Sequence, residues 1–187
     1  MTNNTEYDKK QALLEGGLWG EHINLRLVTT EDCNETYLSW LQDPKVIRFL
    51  ETRWVEQTLE SITEFVIHMM RDQYSYLFAI VDNHSKKHIG NIKIGPNNPY
   101  HHDTQLSYFI GERSAWGCGF ATEAIRLVSD FSFNVLHMRW IYAGSYGRNV
   151  ASQRALEKAG YVQQAVFKQK MVDGQTYDDH LWYGLRR

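Results

Sequence analysis

The sequence is poor in cysteine and proline and has no long apolar run. Its 187 residues include two cysteines, Cys33 and Cys118, and three prolines. Two cysteines do not indicate a disulfide framework. No apolar run approaches the length of a membrane span, and the polar residues 1–11 do not resemble a signal peptide. We therefore expect a cytoplasmic protein that makes no contact with a membrane.

Neither sign of charge dominates the composition. Lysine and arginine number 20, aspartate and glutamate number 22, and the formal net charge is −2. This balance gives no basic footprint for nucleic acid, so we expect no nucleic-acid partner. Apolar residues make up 43% of the chain and charged residues 22%, which is typical of a globular domain and argues against disorder.

Metal-binding patterns are also missing from the sequence. No set of Cys, Asp and His residues stands at the spacing of metal ligands. The adjacent residues His101 and His102 would point to opposite sides of an extended segment. We therefore expect no bound metal.

The most informative segment is residues 107–124, where an apolar strand-like run leads through a glycine turn into an amphipathic helix. The turn contains Gly117 and Gly119, and the helix is expected to begin near Phe120. Glycine allows positive φ and the close approach of a ligand. The start of a helix offers unpaired N–H groups and partial positive charge. This combination predicts a phosphate or pyrophosphate site, with a purely structural turn as the alternative.

Two better-known phosphate motifs do not fit this segment. A Walker loop would end in Gly-Lys-Ser/Thr, which is absent. A dinucleotide-binding turn would have a third glycine at the position of Thr122. It would also have an acidic residue at the end of the next strand, whereas here that strand ends at Ser145 without one. Binding of ATP or NAD at this turn is therefore a poor alternative.

The run that begins at Trp116 resembles motif A of the GNAT superfamily, the acetyl-CoA-dependent N-acetyltransferases. The matching positions are Trp116, Gly119 and Ala121, and Trp116 departs from the usual Gln or Arg. A second run, residues 149–161, resembles motif B of the same superfamily. The two motifs occur in the family's order and at its interval, and the resemblance covers about residues 20–187. The pattern is most similar to the Rim-type branch, the ribosomal-protein acetyltransferases.

The order of elements predicted from the sequence is β-α-α-β-β-β-α-β-α-β-β. It mixes hairpins with strand–helix–strand units, which indicates an α/β fold with a mixed sheet of about seven strands and helices on both faces. We expect a lead-in over residues 1–20 and one GNAT-type domain over residues 21–187. The resemblance implies that the central strands ending near Ile110 and Ser145 splay apart and expose strand backbone to the pantetheine arm of the cofactor.

The resemblance also implies that acetyl-CoA is the cofactor and that coenzyme A is released as a product. Main-chain groups in the glycine turn would hold the pyrophosphate, and the strand before it would hold the pantetheine. The residues expected at the cofactor are Tyr108, Phe109, Ile110, Trp116, Gly117, Cys118, Gly119, Phe120, Ala121, Thr122, Asn149 and Ser152.

Acetyl transfer to an amine requires a proton to leave the amine and a proton to reach the departing thiolate. Many GNAT members carry a tyrosine for the second task at the position of Leu156 in this chain. Ser152 lies one helical turn earlier and, by resemblance to Rim-type enzymes, is the candidate general acid. A hydrogen bond within the first helical turn is its alternative role. Glu51 is taken as the candidate base. The other candidates are His101, His102, Asp103, Asp178 and Asp179, and water relayed to solvent is the alternative.

The acceptor is expected between the early helices and the C-terminal strands. Arg53 and Trp54 could hold a phosphate and a ring there, and Asp178 could hold a cationic amine. Pairing of arginine with carboxylates inside the fold would explain the same charged residues without a substrate.

These residues lead to three functional hypotheses. The first is direct attack, in a ternary complex, by the primary amine of a small molecule such as an amino sugar or a polyamine. The second is acetylation of a protein N-terminus, for example that of a ribosomal protein. The third, from another class, is a catalytically silent acyl-CoA-binding module, which the missing tyrosine would predict. We expect a monomer or a homodimer.

Overall fold

The computed structural model describes residues 5–14 and 16–187. Its α-helices are α1 (Thr5–Leu14), α2 (Glu35–Gln42), α3 (Pro44–Ile47), α4 (Leu59–Arg71), α5 (Phe120–Asn134) and α6 (Val150–Lys158). Its strands are β1 (Leu18–Trp19), β2 (Ile23–Leu27), β3 (Tyr76–Asp82), β4 (His88–Ile94), β5 (Asp103–Ile110), β6 (Trp140–Tyr146), β7 (Val162–Asp173) and β8 (Thr176–Arg186). Short 3-10 turns cover Thr30–Asp32, Glu51–Trp54 and Arg113–Ala115.

The strands form one sheet in the order β1-β2-β3-β4-β5-β6-β8-β7. Neighbours are antiparallel except β5 and β6, which run parallel. Their register joins Asp103, Thr104 and Gln105 to residues 140–142 and goes no further. Beyond those three pairs the two strands diverge, and a gap opens between their carboxyl-terminal halves. The expected splayed mixed sheet is therefore confirmed.

Helices cover both faces of the sheet, as β3 illustrates. Tyr76, Phe78 and Ile80 belong to the core that packs under α5 and α6, whereas Leu77 and Ala79 belong to the core under α2 and α4. Successive side chains of a strand point to opposite faces, so a strand in the middle of a sheet needs apolar residues at both parities. The expected two-sided α/β architecture is confirmed.

All seven expected strands occur, and β1 is an eighth strand that pairs with β2. It lies inside the segment expected to be a lead-in, and so does α1. Lys10 and Leu14 of this helix are each 4% exposed. The Lys10 ammonium donates to the carbonyl oxygens of Met69 at 2.9 Å and Ser75 at 2.6 Å. A buried lysine is invisible to a search for apolar periodicity, which is why the sequence did not predict this helix.

Candidate functional site

The glycine turn before α5 has the backbone geometry expected of it. Gly117 has φ of 79° and Gly119 has φ of 87°, a region that L-residues with a side chain rarely adopt. A Cβ built on either glycine would meet no atom within 4 Å. Glycine is therefore required here by the backbone angle and not by crowding, and the space in front of the turn is open.

The head of α5 offers hydrogen-bond donors toward that space. Gly119 is the N-cap residue and provides no side-chain cap. The N–H of Glu123 donates to the Gly119 carbonyl at 3.1 Å. Within the described residues, the N–H groups of Phe120, Ala121 and Thr122 have no hydrogen-bond partner. Such donors, together with the partial positive charge of a helix start, favour a bound anion.

Trp116, which departs from the motif, ties this turn to the end of β5. Its indole Nε1–H donates to the carbonyl oxygen of Ile110 at 2.8 Å. The guanidinium carbon of Arg113 lies 5.9 Å from the centre of a Trp116 ring. The side chain is 44% exposed, so it forms part of the rim of the site.

The gap between β5 and β6 exposes main-chain groups at alternate residues of β5. The Gly111 N–H donates to the Ile89 carbonyl at 2.8 Å, across the β4 edge of the strand. At an antiparallel edge the residue before such a donor turns its own N–H and C=O the other way. Ile110 and Tyr108 therefore direct their main-chain groups toward the gap, and Phe109 directs its groups toward β4.

The expected role of Phe109 accordingly differs from those of its neighbours. Its main chain pairs with Asn91 of β4. Its ring packs on the opposite face from the turn, 6.3 Å from the ring of Tyr37 and 6.4 Å from that of Trp40. Of the three strand residues predicted at the cofactor, Tyr108 and Ile110 present main-chain groups to the gap. Phe109 pairs with β4 and packs its ring against Tyr37 and Trp40.

The N-terminus of α6 lies beside the same gap. The side-chain oxygen of Asn149 accepts from the Ser152 N–H at 3.2 Å and so caps the helix. The Ser152 Oγ lies 2.9 Å from the hydroxyl oxygen of Tyr108. Leu156, one turn further along, is fully buried in the core. Asn149 is therefore a capping residue, and Ser152 is the polar side chain through which this helix contacts β5.

Glu51 lies at the carboxyl end of β6. One of its carboxylate oxygens accepts from the hydroxyl of Tyr146 at 2.6 Å, and the other accepts from the indole N–H of Trp54 at 3.2 Å. Burial, together with the nearby Glu51 carboxylate, raises the pKa of Tyr146 to about 12. Tyr146 therefore stays protonated and acts as a hydrogen-bond donor that fixes Glu51.

Arg53 is paired inside the fold. Its side chain donates to the Tyr146 hydroxyl at 3.1 Å and to the Val172 carbonyl at 2.5 Å. A guanidinium nitrogen lies 3.5 Å from a carboxylate oxygen of Asp173. The side chain is only 12% exposed, so little of this arginine is accessible to a ligand. The structure therefore contains a pairing of this arginine with a carboxylate inside the fold.

The other two residues expected to contact the acceptor differ in exposure. Asp178 is 7% exposed, and its carboxylate accepts from the main-chain N–H groups of Arg148 at 2.9 Å and Asp179 at 2.8 Å. It thereby holds the turn that follows β6. Trp54 is 52% exposed, with the guanidinium carbon of Arg53 4.4 Å from its ring centre. Of the three residues expected at the acceptor, Trp54 is thus the most exposed.

His180, which no sequence pattern indicated, lies near the Glu51 carboxylate. It stands opposite Tyr146 in the β6–β8 register. A Cβ on Gly144 would lie 2.5 Å from its Nε2, so the glycine makes room for the ring. Burial and then Lys170 lower the pKa of His180, while Glu51 opposes the shift. A lone histidine in a strand carries no motif, and no pattern in the sequence could have selected it.

A known family matches most of the chain. The sequence model of the Acetyltransferase (GNAT) domain matches residues 22–162. The chain belongs to the GNAT acetyltransferase family. The resemblance drawn from the two motifs is therefore confirmed, and this GNAT protein is an N-acetyltransferase.

Relatives and solved structures agree with this assignment. The GNAT chain is 29% identical over 169 residues to the probable N-acetyltransferase YjcK of Bacillus subtilis (strain 168), covering 87% of this chain and 93% of that protein. Spermidine N-acetyltransferase from Vibrio cholerae, solved with CoA and spermine, gives a TM-score of 0.79 at 18% identity and covers 89% of this chain and 96% of its own. Ribosomal-protein-S5-alanine acetyltransferase from Vibrio fischeri gives a TM-score of 0.76 at 18% identity, covering 91% and 96%. At these identities the solved structures confirm the GNAT fold.

Two further observations concern the described part of the GNAT chain. No helix within residues 5–14 and 16–187 is both long enough and apolar enough to span a bilayer. The same residues contain no group of three or more His, Cys, Asp or Glu side chains arranged to hold a metal ion.

Proposed function

We propose that the protein transfers the acetyl group of acetyl-CoA to the primary amine of a small molecule, by direct attack in a ternary complex. The observation that carries the proposal is the open turn before α5. Its first N–H groups, which have no partner among the described residues, lie next to the gap toward which Tyr108 and Ile110 of β5 direct their main-chain groups. An anion site beside a free strand edge suits a ligand that has a diphosphate at one end and amides along its arm.

The residues present fit that cofactor. The N–H groups of Phe120, Ala121 and Thr122 would hold the diphosphate, and the main chain of Tyr108 and Ile110 would pair with the amides. Bound acetyl-CoA supplies an activated thioester. The diphosphate contacts use main-chain groups and glycine φ angles, so they do not depend on the side chain at position 116. The Trp116 indole N–H occupies the Ile110 carbonyl at 2.8 Å and leaves the Ile110 N–H for the cofactor.

Glu51 is proposed as the base that receives the amine proton. Hydrogen bonds from Tyr146 and Trp54 hold its carboxylate in one orientation at the end of β6. A carboxylate fixed in this way can accept a proton from an ammonium group in the adjacent pocket. Ser152 is proposed as the group that donates toward the departing sulfur.

A small amine is the acceptor that the walls of the pocket favour. Glu51 contributes negative charge, the flanking Arg53 is already paired, and Trp54 presents an exposed ring. The fold shared with a spermidine N-acetyltransferase supports this choice. The fold shared with a ribosomal-protein-S5-alanine acetyltransferase supports a peptide N-terminus as the second candidate. We place the reaction in the cytoplasm, carried out by a monomer or a homodimer.

The test combines cofactor binding with an amine panel. Acetyl-CoA should raise the melting temperature of the protein whereas ATP and NAD should not, since a ligand stabilises the fold that binds it. Release of thiol from acetyl-CoA is then followed with spermidine, glucosamine and a peptide that begins with alanine. Turnover on spermidine or glucosamine supports the proposal, and turnover on the peptide alone supports the second candidate. Binding without turnover on any amine would overturn both in favour of the silent module.

The role of Glu51 is tested in the same assay. Replacing Glu51 by Gln should lower kcat by about 100-fold, the lower end of the usual effect of a general base. Glu56→Gln is the matched control, because Glu56 is an exposed residue near Glu51 in the same connection. A Glu51→Gln protein that turns over as fast as the control would leave water as the base.

A further inference from the structure

The carboxyl-terminal halves of β5 and β6 diverge, but a pair of side chains joins β5 to the helix that follows β6. Tyr108 lies on β5, and Ser152 lies in the first turn of α6, which comes directly after β6. The Tyr108 hydroxyl oxygen is 2.9 Å from the Ser152 Oγ and 3.1 Å from the Ser152 carbonyl oxygen. Both residues are partly buried, and Tyr108 packs against the core under α5 and α6.

The two hydroxyls carry one proton each and can share their hydrogen bonds in two ways. In the first arrangement Tyr108 donates to the Ser152 carbonyl and the serine donates to the tyrosine oxygen. In the second, Tyr108 donates to the serine Oγ, and the serine proton is free to point elsewhere. Because both acceptors lie within hydrogen-bond distance of the tyrosine, rotation of the hydroxyl groups alone converts one arrangement into the other.

Tyr108 is suited to donate a hydrogen bond and not to release its proton. Burial raises the pKa of its hydroxyl to about 12, although the bond to Ser152 opposes that shift. The hydroxyl therefore remains neutral at any physiological pH. Leu156, at the position where many GNAT members have a tyrosine, cannot substitute, because it is apolar and fully buried.

We propose that Tyr108 is the positioning residue for Ser152, and that its side chain turns the serine proton toward the sulfur that leaves the acetyl group. The inference rests on the proposed function. The amine nitrogen forms a bond to the acetyl carbon, and the carbon–sulfur bond breaks with its electron pair on sulfur. Ser152 then donates a hydrogen bond to the thiolate. The thiolate later takes from solvent the equivalent of the proton that the amine released, so Tyr108 and Ser152 both keep their protons.

Without the tyrosine hydroxyl, the serine proton has a competing acceptor. A serine in the first turns of a helix commonly donates to a carbonyl of the preceding turn. In Tyr108→Phe, Ser152 should adopt that internal bond and turn away from the sulfur. The variant keeps the ring and its packing, and so removes one atom.

The test measures the pKa of the thiol of CoA bound to the protein, followed by the ultraviolet absorbance of the thiolate, and needs no amine. A hydrogen bond to the thiolate lowers that pKa. Tyr108→Phe should raise the bound-thiol pKa by about one unit relative to the unmodified protein, the size of one hydrogen bond to a charged group. Ser152→Ala should raise it as far, and the double variant should raise it no further.

Tyr161→Phe is the matched control. Its hydroxyl oxygen lies 2.9 Å from the Ser129 Oγ, so it belongs to a second tyrosine–serine pair with the same separation. This variant should leave the pKa of the bound thiol unchanged. With an amine that the protein acetylates, Tyr108→Phe should lower kcat by about tenfold and leave KM for acetyl-CoA unchanged, since the hydrogen bond acts on the departing sulfur.

The outcomes separate this inference from the function on which it rests. CoA that binds Tyr108→Phe with the same thiol pKa as the unmodified protein would overturn the inference alone. An equal shift in Tyr161→Phe would do the same, because it would assign the effect to general loosening. Failure of the unmodified protein to bind CoA would overturn the proposed function itself.

Discussion

At the scale of single residues, two glycines share a backbone conformation but lie in different surroundings. Gly119 precedes α5 with φ of 87°, and Gly174 lies in the turn between β7 and β8 with φ of 63°. Neither has an atom within 4 Å of where a Cβ would stand. Replacing either by alanine should therefore cost backbone strain of about 1–2 kcal/mol without a steric clash.

The two replacements should differ in their effect on ligand binding. Gly119→Ala should lower acetyl-CoA affinity about tenfold or more, because the first N–H groups of α5 depend on that φ angle for their direction. Gly174→Ala should lose similar stability and keep its affinity. Urea unfolding and titration calorimetry on both proteins make the comparison. Equal affinities in the two variants would show that the turn does not hold the diphosphate.

At the scale of elements, α1 is held by a buried cation. The Lys10 ammonium donates to main-chain carbonyls at the end of α4 and the start of β3, and burial lowers its pKa. Lys10→Met should destabilise the protein by about 2 kcal/mol, since it removes charge-assisted bonds and leaves carbonyl oxygens without their donor. Lys9→Met is the control, because that lysine is 71% exposed and, within the described residues, pairs with Glu6 alone.

Unfolding midpoints in urea test this prediction. The Lys9 variant should stay within about 0.5 kcal/mol of the unmodified protein, as is usual for exposed positions. A Lys10 variant of unchanged stability would mean that α1 contributes nothing to the domain. The boundary proposed at residue 21 would then describe the folded unit correctly.

The elements also mark what the sequence could and could not predict. Strand β3 could be predicted because a strand between two helical layers needs apolar side chains on both of its faces and so appears as a continuous apolar run. Helix α1 was missed because a buried lysine breaks the apolar stripe. The contact of Glu51 with Tyr146 joins residues 95 positions apart, and no local pattern encodes such a pairing. The glycine turn before α5, by contrast, could be predicted, because its positive φ angles favour glycine and the glycines are visible in the sequence.

At the scale of the whole molecule, the gap in the sheet predicts a pattern of amide exchange. The N–H groups of Tyr108 and Ile110 face the gap, whereas that of Phe109 faces β4. In the free protein the Phe109 amide should exchange with solvent about tenfold or more slowly than its two neighbours, because it is held in the ladder. Acetyl-CoA should slow the amide exchange of Tyr108 and Ile110 and leave that of Phe109 unchanged.

Residue-resolved hydrogen exchange by NMR makes this measurement, with Phe109 as the control inside the same strand. Equal protection of all three amides in the free protein would mean that the gap is closed in solution. If acetyl-CoA did not slow exchange at Tyr108 and Ile110, the pantetheine arm would have to bind elsewhere.

The family could be read from the sequence and the acceptor could not, for one physical reason. The proposed cofactor contacts lie within two continuous segments, each of which carries its own motif. The proposed acceptor site combines side chains of the Glu51–Trp54 turn, β6 and β8, which contact one another in the fold. Its shape depends on packing between segments that are distant in sequence, and packing leaves no regular signature in a single chain.

The exposed edge of β5 has a consequence for how this protein can vary. A main-chain amide presents the same donor and acceptor whatever side chain accompanies it, so substitutions along that edge preserve the recognition of a ligand's amides. This tolerance is in keeping with a fold retained at 18% identity. Proline is the exception, because it removes the donor and fixes φ. Among related sequences, position 110 should therefore accept almost any residue but that one.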